Sequence, residues 1–253
     1  MAEGDTILRL ARRFEATLVG EEVRAAAPNP RGKAAGIERL DGRTLERAET
    51  HGKHLLLGFG DVCLHSHLGV SGGWHFYRPG ARWRRPRSSA WAVLSGGGWD
   101  AVQFGGPTLR VAPTARLRRD PQIGRLGPDL LAAEFDPEAV IAAMRTDPTR
   151  ALGDALLDQH LVAGIGNIFK SEACFAARLD PWRSIDDLSC EELRRVLTAA
   201  REQMLSAVES GGRHQFQIYR RHQGACPNCR GPISSRGQGD ANRTTYWCPR
   251  CQV

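Results

Sequence analysis

The sequence predicts an α+β chain of several domains: an N-terminal helix and β-sandwich, then a helical domain, then a small cysteine-stapled β-ribbon. A helical period over residues 5–18 gives way to short apolar segments, separated by Gly, Pro and Asp, over residues 19–112. The helical period returns from about residue 129. The tail has few aliphatic residues but four cysteines, so it needs a crosslink through its cysteines to fold. The expected domains are 1–128, 129–218 and 219–253.

The first helix is predicted over residues 5–18. Its apolar residues lie on one stripe: Ile7, Leu8, Leu10, Ala11, Phe14 and Leu18. Asp5 or Thr6 can cap its N-terminal end. Ala2 and Glu3 are then expected just outside that end, where the helix dipole favours a carboxylate.

The chain start offers a nucleophile. Ala2 is small, so Met1 is expected to be removed, which leaves Ala2 with a free α-amine. Such an amine titrates near ~7.7–8.0, against ~10.4 for a lysine side chain. When unprotonated it can attack an electrophilic carbon and form a Schiff base, and the adjacent carboxylate of Glu3 can move protons at that centre. A frayed terminus without function is the alternative.

Composition favours a polyanionic partner. The chain of 253 residues carries a formal net charge of +7, with 35 Lys+Arg against 28 Asp+Glu. Arginine dominates, which suits bidentate phosphate contacts, although a GC-rich genome would also favour arginine codons. The segment RPGARWRRPRSS at 78–89 is predicted as an exposed basic loop between strands, with a merely solvated hairpin as the alternative.

No apolar run approaches the ~20 residues that span a bilayer, and the acidic start lacks the features of a signal peptide. Three of the seven cysteines, Cys63, Cys174 and Cys190, are scattered among apolar residues. This pattern favours buried free thiols in a reducing cytoplasm over a disulfide framework.

The C-terminal cysteines form two Cys-x2-Cys pairs, Cys226 with Cys229 and Cys248 with Cys251, separated by 18 residues. Four thiolates at this spacing predict a closed, structural Zn²⁺ site that folds a β-ribbon. A redox-active Cys-x-x-Cys pair is the alternative. The segment 231–247 between the pairs is predicted as two strands, and its arginines indicate nucleic-acid contact.

A glycine turn interrupts the helical domain. Gly164 and Gly166 are predicted to allow positive φ angles, and Asn167 opens the helix that follows. Exposed N–H groups at such a helix start can bind phosphate. The alternative is an ordinary corner between two helices.

Together these motifs resemble the formamidopyrimidine-DNA glycosylase / endonuclease VIII family. The form LLDQ-x-x-x-AGIGN-x-x-x-SE resembles its helix–two-turn–helix motif, and the ribbon with Arg243 ahead of YWCPRCQ resembles its C-terminal finger. HGKHLL at 51–56 resembles its central-lysine strand, RLGPD at 125–129 its interdomain segment, and EGDT its start. The motifs follow the family's order along nearly the whole chain.

The resemblance implies a base-excision-repair enzyme that clamps damaged double-stranded DNA between two lobes and flips the damaged base out. It implies that the amine of Ala2 attacks the sugar, that Glu3 is the acid/base and that Lys53 contacts phosphate near the reacting sugar. It also implies structural Zn²⁺ and a monomer in the cytoplasm, at the nucleoid. The remaining implied DNA-binding residues are Gly164, Gly166, Asn167, Lys170, Arg220 and Arg243.

Two departures from the family pattern shape the expected activity. The family usually carries proline where this chain has Ala2, so base excision is expected while AP-lyase cleavage stays open. A catalytically silent protein that binds damaged or abasic DNA is the alternative. The segment 103–110 reads QFGGPTLR instead of containing DPRRFG, which favours the endonuclease VIII branch and oxidised pyrimidines. Flipping also requires a side chain that fills the gap, for which Leu68 and Val70 are the candidates. A position in the core of the strand is the alternative for both.

Overall fold

The computed structural model describes residues 2–222 and 224–253, apart from the side chain of Arg118. Met1, whose removal the sequence predicts, lies outside the described residues. The chain divides into two compact units, Met1–Arg125 and Leu126–Val253. The C-terminal ribbon falls in the second unit together with the helical segment.

The first unit is a β-sandwich behind an N-terminal helix, α1 (Gly4–Glu15). One antiparallel sheet has the strand order β2-β1-β7-β8-β6, and the other has the order β3-β4-β5-β9. The strands are β1 (Glu22–Ala26), β2 (Arg43–Thr44), β3 (Arg47–His51), β4 (His54–Phe59), β5 (Val62–His67), β6 (Gly73–Tyr77), β7 (Ala92–Gly96), β8 (Trp99–Phe104) and β9 (Thr108–Pro113).

Helix α1 packs its apolar stripe into the core that the two sheets share. Ile7 and Phe14 are fully buried there, and the ring of Phe14 meets the edges of Trp74 and Phe76 at centroid distances of 5.1 and 4.9 Å. The cap expected at Asp5 or Thr6 is wrong: the helix begins at Gly4, so Glu3 is the N-cap, in extended backbone at φ −115° and without a side-chain cap bond. The helix therefore places Glu3 directly at its positive end.

Short helical segments complete the first unit. They are α2 (Pro30–Ala34), α3 (Thr114–Arg118), α4 (Pro121–Gly124) and the 3-10 turns Ile37–Leu40 and Arg87–Ser89. Asp120 caps α4 by accepting a hydrogen bond from the backbone N–H of Gln122 at 2.9 Å. Leu117 and Ile123 pack on Cys63 of β5. Since the residues on either side of Cys63, Val62 and Leu64, point into the shared core, α3 and α4 cover the opposite face of that sheet.

The second unit is helical, with a β-ribbon at its C-terminal end. Asp136 and the capping box of Ser189 with Glu192 both form as the sequence predicts, because each cap oxygen accepts from a backbone N–H in the first turn. The elements are α5 (Pro137–Met144), α6 (Leu152–Leu157), α7 (Asn167–Ala176), α8 (Cys190–Glu209), β10 (Ser234–Gln238) and β11 (Arg243–Trp247). Within residues 2–222 and 224–253, no helix combines the length and apolarity needed to cross a bilayer.

Candidate active site and nucleic-acid interface

The chain start is fixed against the loop that follows β5. The nitrogen of Ala2 lies 3.2 Å from the carbonyl oxygen of Gly69. Gly69 has φ +58°, and a Cβ there would lie 2.8 Å from Cδ of Pro107, so the loop needs glycine at this position. Glu3 is only 1% exposed. The first unit thus holds a carboxylate in a buried position at a helix N-terminus, where the dipole stabilises its charge.

A cavity of about 430 Å³ opens beside Ala2. Its polar wall comes from α1, where Arg9 pairs with Asp5 at 3.4 Å. Burial raises the pKa of Asp5 above its ordinary value. The apolar wall includes Trp74 and Val70. The volume of this cavity lies within the range that is usual for small-molecule sites in proteins.

The two wedge candidates differ completely in exposure. Leu68 is 1% exposed and belongs to the core of the sandwich, so it cannot enter a DNA duplex and its assignment as a wedge is corrected. Val70 is 68% exposed and lines the rim of the cavity beside Ala2. An exposed apolar side chain of this size is unusual on this chain and fits the role of an inserted residue.

Lys53 lies in a tight turn between β3 and β4. His51 pairs with His54 across this turn, and Gly52 takes φ +56°. Leu55 and Leu57 point into the shared core, so His54 points to the opposite face of the sheet. Lys53 therefore stands at the edge of a polar cluster that the sequence did not reveal.

The cluster is a chain of directed hydrogen bonds. Arg110 pairs with Asp120 at 2.6 Å and donates from Nε to Nδ1 of His65 at 3.2 Å. Nδ1 of His65 must then accept, so its proton is on Nε2, which lies 2.7 Å from Nδ1 of His54. The proton of His54 is in turn on Nε2. The chain fixes the tautomer of a neutral histidine directly after Lys53.

Burial keeps both histidines neutral. It is the largest cause that lowers the pKa of His54 to about 3 and that of His65 to about 4, and the nearby charge of Arg110 lowers the latter further. The ring of His54 also packs against His67, with centroids 4.7 Å apart. His65 and His67 occupy alternate positions of β5, and His54 lies on the paired strand β4. This spacing is a sequence signal that could have revealed the cluster.

These depressed pKa values make stability pH-dependent. In the unfolded chain both histidines titrate near ~6.5. As the pH falls below that value, the unfolded state binds protons at these histidines while the folded state does not, so the free energy of unfolding decreases. We expect up to about 2 kcal/mol per histidine to be lost between pH 7 and pH 5. Thermal unfolding of the wild type and of the double variant His54→Asn/His65→Gln should show a smaller loss in the variant. Equal losses would contradict the assignment of neutral, buried histidines.

In the second unit, a glutamine shapes the glycine turn. The side chain of Gln159 donates from Nε2 to the carbonyl oxygen of Ile165 at 3.0 Å and accepts from the N–H of Gly164 at 3.0 Å. Gly164 has φ +107°, as the sequence predicts. Gly166 is the N-cap of α7 in extended backbone at φ −120°, so the positive φ expected there is wrong.

Asn167 ties α7 to the ribbon. Its Nδ2 donates to the carbonyl oxygen of Thr244 at 2.7 Å, and the residue is 6% exposed. Its Oδ1 is buried without a hydrogen-bond partner among the described residues. One Nδ2 hydrogen is used by Thr244, and the second leaves the amide able to donate to a ligand.

Lys170 is not a surface residue. Its side chain is 0% exposed, and Nζ donates to the hydroxyl of Thr245 and to Oε1 of Gln238 in the ribbon. The DNA contact predicted for Lys170 is therefore corrected: the ammonium is covered by the ribbon and cannot reach a phosphate. It holds β10 and β11 against α7.

A buried carboxylate organises the segment before the ribbon. Glu172 accepts hydrogen bonds from the backbone N–H groups of Gln217, Ile218 and Tyr219 at 2.7–2.9 Å. Arg220, which follows, is exposed with φ +60°. Arg243 is exposed at the first residue of β11. Both arginines thus remain available to solvent on the second unit.

The four predicted cysteine ligands come together. All four sulfur atoms lie within 4.8 Å of one another, with Cys226 and Cys251 3.8 Å apart and Cys229 and Cys248 3.5 Å apart. Thiolates at ~2.3 Å from a tetrahedral Zn²⁺ lie about 3.8 Å from each other, whereas a disulfide would need about 2.05 Å. The N–H of Gly231 donates to Sγ of Cys229 at 3.4 Å, and this hydrogen bond is the largest cause that lowers the pKa of that thiol. The donor set therefore fits a structural metal ion.

Both units of the chain match models of one family of DNA glycosylases. Residues 1–102 match the family model described as formamidopyrimidine-DNA glycosylase N-terminal domain, and residues 126–217 match the one described as formamidopyrimidine-DNA glycosylase H2TH domain. The chain belongs to the formamidopyrimidine-DNA glycosylase family, which includes proteins named endonuclease 8.

Individual relatives span the whole chain. It is 37% identical to a probable endonuclease 8 2 of Streptomyces coelicolor, covering 100% of this chain and 94% of that protein. It is 30% identical to the DNA-(apurinic or apyrimidinic site) lyase Nei2 of Mycolicibacterium smegmatis, covering 100% and 99%. The fold resembles that of the Lactococcus lactis formamidopyrimidine DNA glycosylase bound to DNA with an AP site, with a TM-score of 0.85, 23% identity and 99% coverage of both chains.

Proposed function

We propose that this protein is a DNA glycosylase of base excision repair that acts on damaged double-stranded DNA and cleaves the resulting abasic site through a Schiff base on Ala2. The observation that carries the proposal is the chain start, where Ala2 borders a cavity and Glu3 is buried at the N-terminus of α1. The family and the relative named as an AP lyase support the same reaction class.

The reaction follows from the chemistry of a primary amine. After Met1 is removed, the nitrogen of Ala2 forms a bond to C1′ of the flipped sugar while the bond from C1′ to the base breaks, and the base leaves with a proton. Glu3 donates a proton to the ring oxygen as the sugar opens. The resulting imine is protonated on nitrogen and draws electrons from the C2′–H bond. C2′ gives its proton to the carboxylate that Glu3 has become, and the C3′–O bond breaks to release the 3′ phosphate.

Several side chains are proposed to hold the DNA. Lys53 contacts a phosphate near the reacting sugar, and its neutral neighbour His54 adds an N–H donor without a second charge. On the second unit, Asn167 and the turn of Gly164 and Gly166 hold another phosphate. Arg220 and Arg243 are exposed and add further charge-assisted contacts, which make binding salt-dependent.

The finer assignments rest on particular segments. Oxidised pyrimidines are the proposed lesions because the loop after β8, with Gly105 and Gly106 at φ +67° and +113°, lacks the DPRRFG segment. Val70 is the proposed wedge. The metal proposed for the four cysteines is Zn²⁺, with a structural role only. The protein is proposed to act as a monomer in the cytoplasm, at the nucleoid.

One experiment tests the reaction class. Duplexes that each contain one lesion are incubated with the protein, and base release and borohydride trapping are measured separately. A protein whose terminus is blocked by an uncleaved N-terminal extension is the control, and it should release no base and form no trapped complex. Trapping that persists with the blocked terminus would exclude Ala2. Tight binding without base release from any lesion would favour the silent binder, which the replacement of proline by Ala2 suggests.

The alanine nucleophile also predicts a pH profile. A primary amine gives a neutral imine that must gain a proton before elimination, so its rate falls by about tenfold for each pH unit above the pKa of the imine. A proline gives a permanently cationic iminium. Ala2→Pro is therefore expected to make β-elimination faster and flat between pH 7 and pH 9, as measured by single-turnover cleavage of abasic DNA. Ala2→Gly keeps a primary amine and should retain the slope; a flat wild-type profile would contradict this chemistry.

A further inference from the structure

The loop 78–89, which joins β6 to β7, carries an isolated group of arginines. None of its five arginines forms an ion pair within residues 2–222 and 224–253, whereas Arg43, Arg47 and Arg194 elsewhere on the surface pair with carboxylates. All five are exposed: Arg78, Arg82, Arg84, Arg85 and Arg87. Their charge also acts on β6, the strand that leads into the loop. Burial lowers the pKa of His75 in that strand, and the charges of Arg84 and Arg85 lower it further.

The loop is anchored by its aromatic residue. Trp83 stacks on Tyr77 with ring centroids 6.0 Å apart and meets the edge-on ring of Phe104 at 6.3 Å. The hydroxyl of Tyr77 accepts from the backbone N–H of Arg84 at 3.2 Å, and Asn29 donates to the carbonyl oxygen of Ser88 at 3.1 Å. The arginine backbone is thus held in place before any ligand arrives, which lowers the entropy lost on binding.

The chemistry of the loop fits phosphate and not bases. Guanidinium groups match phosphate oxygens in bidentate geometry. The indole of Trp83 is already engaged, by Arg87 at 4.4 Å from its centroid and by Tyr77. Proteins that hold single strands instead offer open aromatic faces on which bases stack. A surface of arginines without an open ring selects the backbone of a duplex.

We propose that the loop 78–89 binds backbone phosphates of duplex DNA that flanks the lesion, as a further contact surface in addition to the residues around Lys53 and those at the glycine turn. This inference rests on the proposed function, since it assumes that the protein acts on DNA. The surface contributes affinity and no sequence preference, because phosphate contacts carry no base information.

The test uses the triple variant R82Q/R84Q/R85Q. Its matched control, R12Q/R39Q/R119Q, removes the same charge from exposed arginines elsewhere on the first unit. Dissociation constants are measured by fluorescence anisotropy for duplexes with a central, uncleavable abasic analogue, over lengths of roughly 12 to 24 base pairs and salt of roughly 50 to 200 mM. Neither variant removes a buried group, so equal melting temperatures are expected.

We expect the loop variant to bind the longer duplexes about tenfold more weakly, with a salt slope reduced by about 2–3, since each lost phosphate contact removes about 0.9. The single-turnover rate at saturating DNA should not change. An unchanged affinity and slope, or an equal loss in the control, would overturn the proposal. Stronger competition by single-stranded oligothymidine than by duplex would overturn the assignment of the duplex. Failure of the wild type to bind DNA at all would instead contradict the proposed function.

Discussion

Glu3→Gln is expected to abolish base excision while DNA binding survives. The substitution keeps the shape of a residue that is 1% exposed and caps α1, so the fold should accept it. It removes the ability to move a proton, and such a step contributes about 10²- to 10⁴-fold to a rate. The lost interaction with the helix dipole costs only about 0.3–1 kcal/mol of stability. Single-turnover release of the preferred base should therefore fall by at least about a hundredfold.

The first turn of α1 offers a matched control for this variant. Asp5 is also a buried carboxylate, but it pairs with Arg9 and its pKa is raised by burial. Asp5→Asn makes the same change of carboxylate to amide two residues further along the chain. It should leave the single-turnover rate within a few-fold of the wild type, and both variants should bind an abasic-analogue duplex. A Glu3→Gln protein that still excises bases at the wild-type rate would remove Glu3 from the mechanism.

Local signals predicted much of this molecule. The capping box of Ser189 and Glu192 lies within one helical turn, so its geometry depends on no distant residue. The two cysteine pairs were predictable for the same reason. Each Cys-x2-Cys segment is four residues long, and the two segments come together at the spacing of a zinc site. The family resemblance rested on motifs of this kind, and it is confirmed by the match of both domains.

The sequence-based predictions were wrong at residues whose surroundings depend on a segment that is distant along the chain. Lys170 looks exposed in a motif that binds DNA, yet it is buried by Gln238 and Thr245, which lie 68 and 75 residues further along the chain. Leu68 and Val70 are two residues apart, and only the path of the loop after β5 separates a core residue from an exposed one. The hydrogen-bond chain through His65 required the register of β5 with β4 and β9, which periodicity does not supply.

Loss of the metal is expected to abolish the order of the ribbon and most of the DNA affinity. Few apolar residues hold the ribbon: its core cluster is Phe175, Ile218, Ile233 and two of the cysteines. Structural zinc supplies about 10–16 kcal/mol in small finger peptides, far more than this cluster can replace. Cys248→Ser should therefore abolish binding of one equivalent of Zn²⁺, measured by native mass spectrometry. Hydrogen exchange over residues 234–247 should become fast in the same protein.

The consequence reaches the glycine turn because the ribbon holds α7. The carbonyl oxygen of Thr244 accepts a hydrogen bond from Asn167. The side chains of Thr245 and Gln238 accept hydrogen bonds from the ammonium of Lys170. Without the ribbon, Lys170 gains water while Asn167 loses the partner that fixes its amide, so affinity for a lesion duplex should fall by at least about tenfold. The helical core of the second unit is a separate cluster and should stay folded. Cys190 is exposed, so its predicted burial is wrong; it lies outside the cluster, and Cys190→Ser is therefore the control. An ordered ribbon with unchanged affinity in the metal-free protein would show that the thiolates do not need a metal to position Asn167.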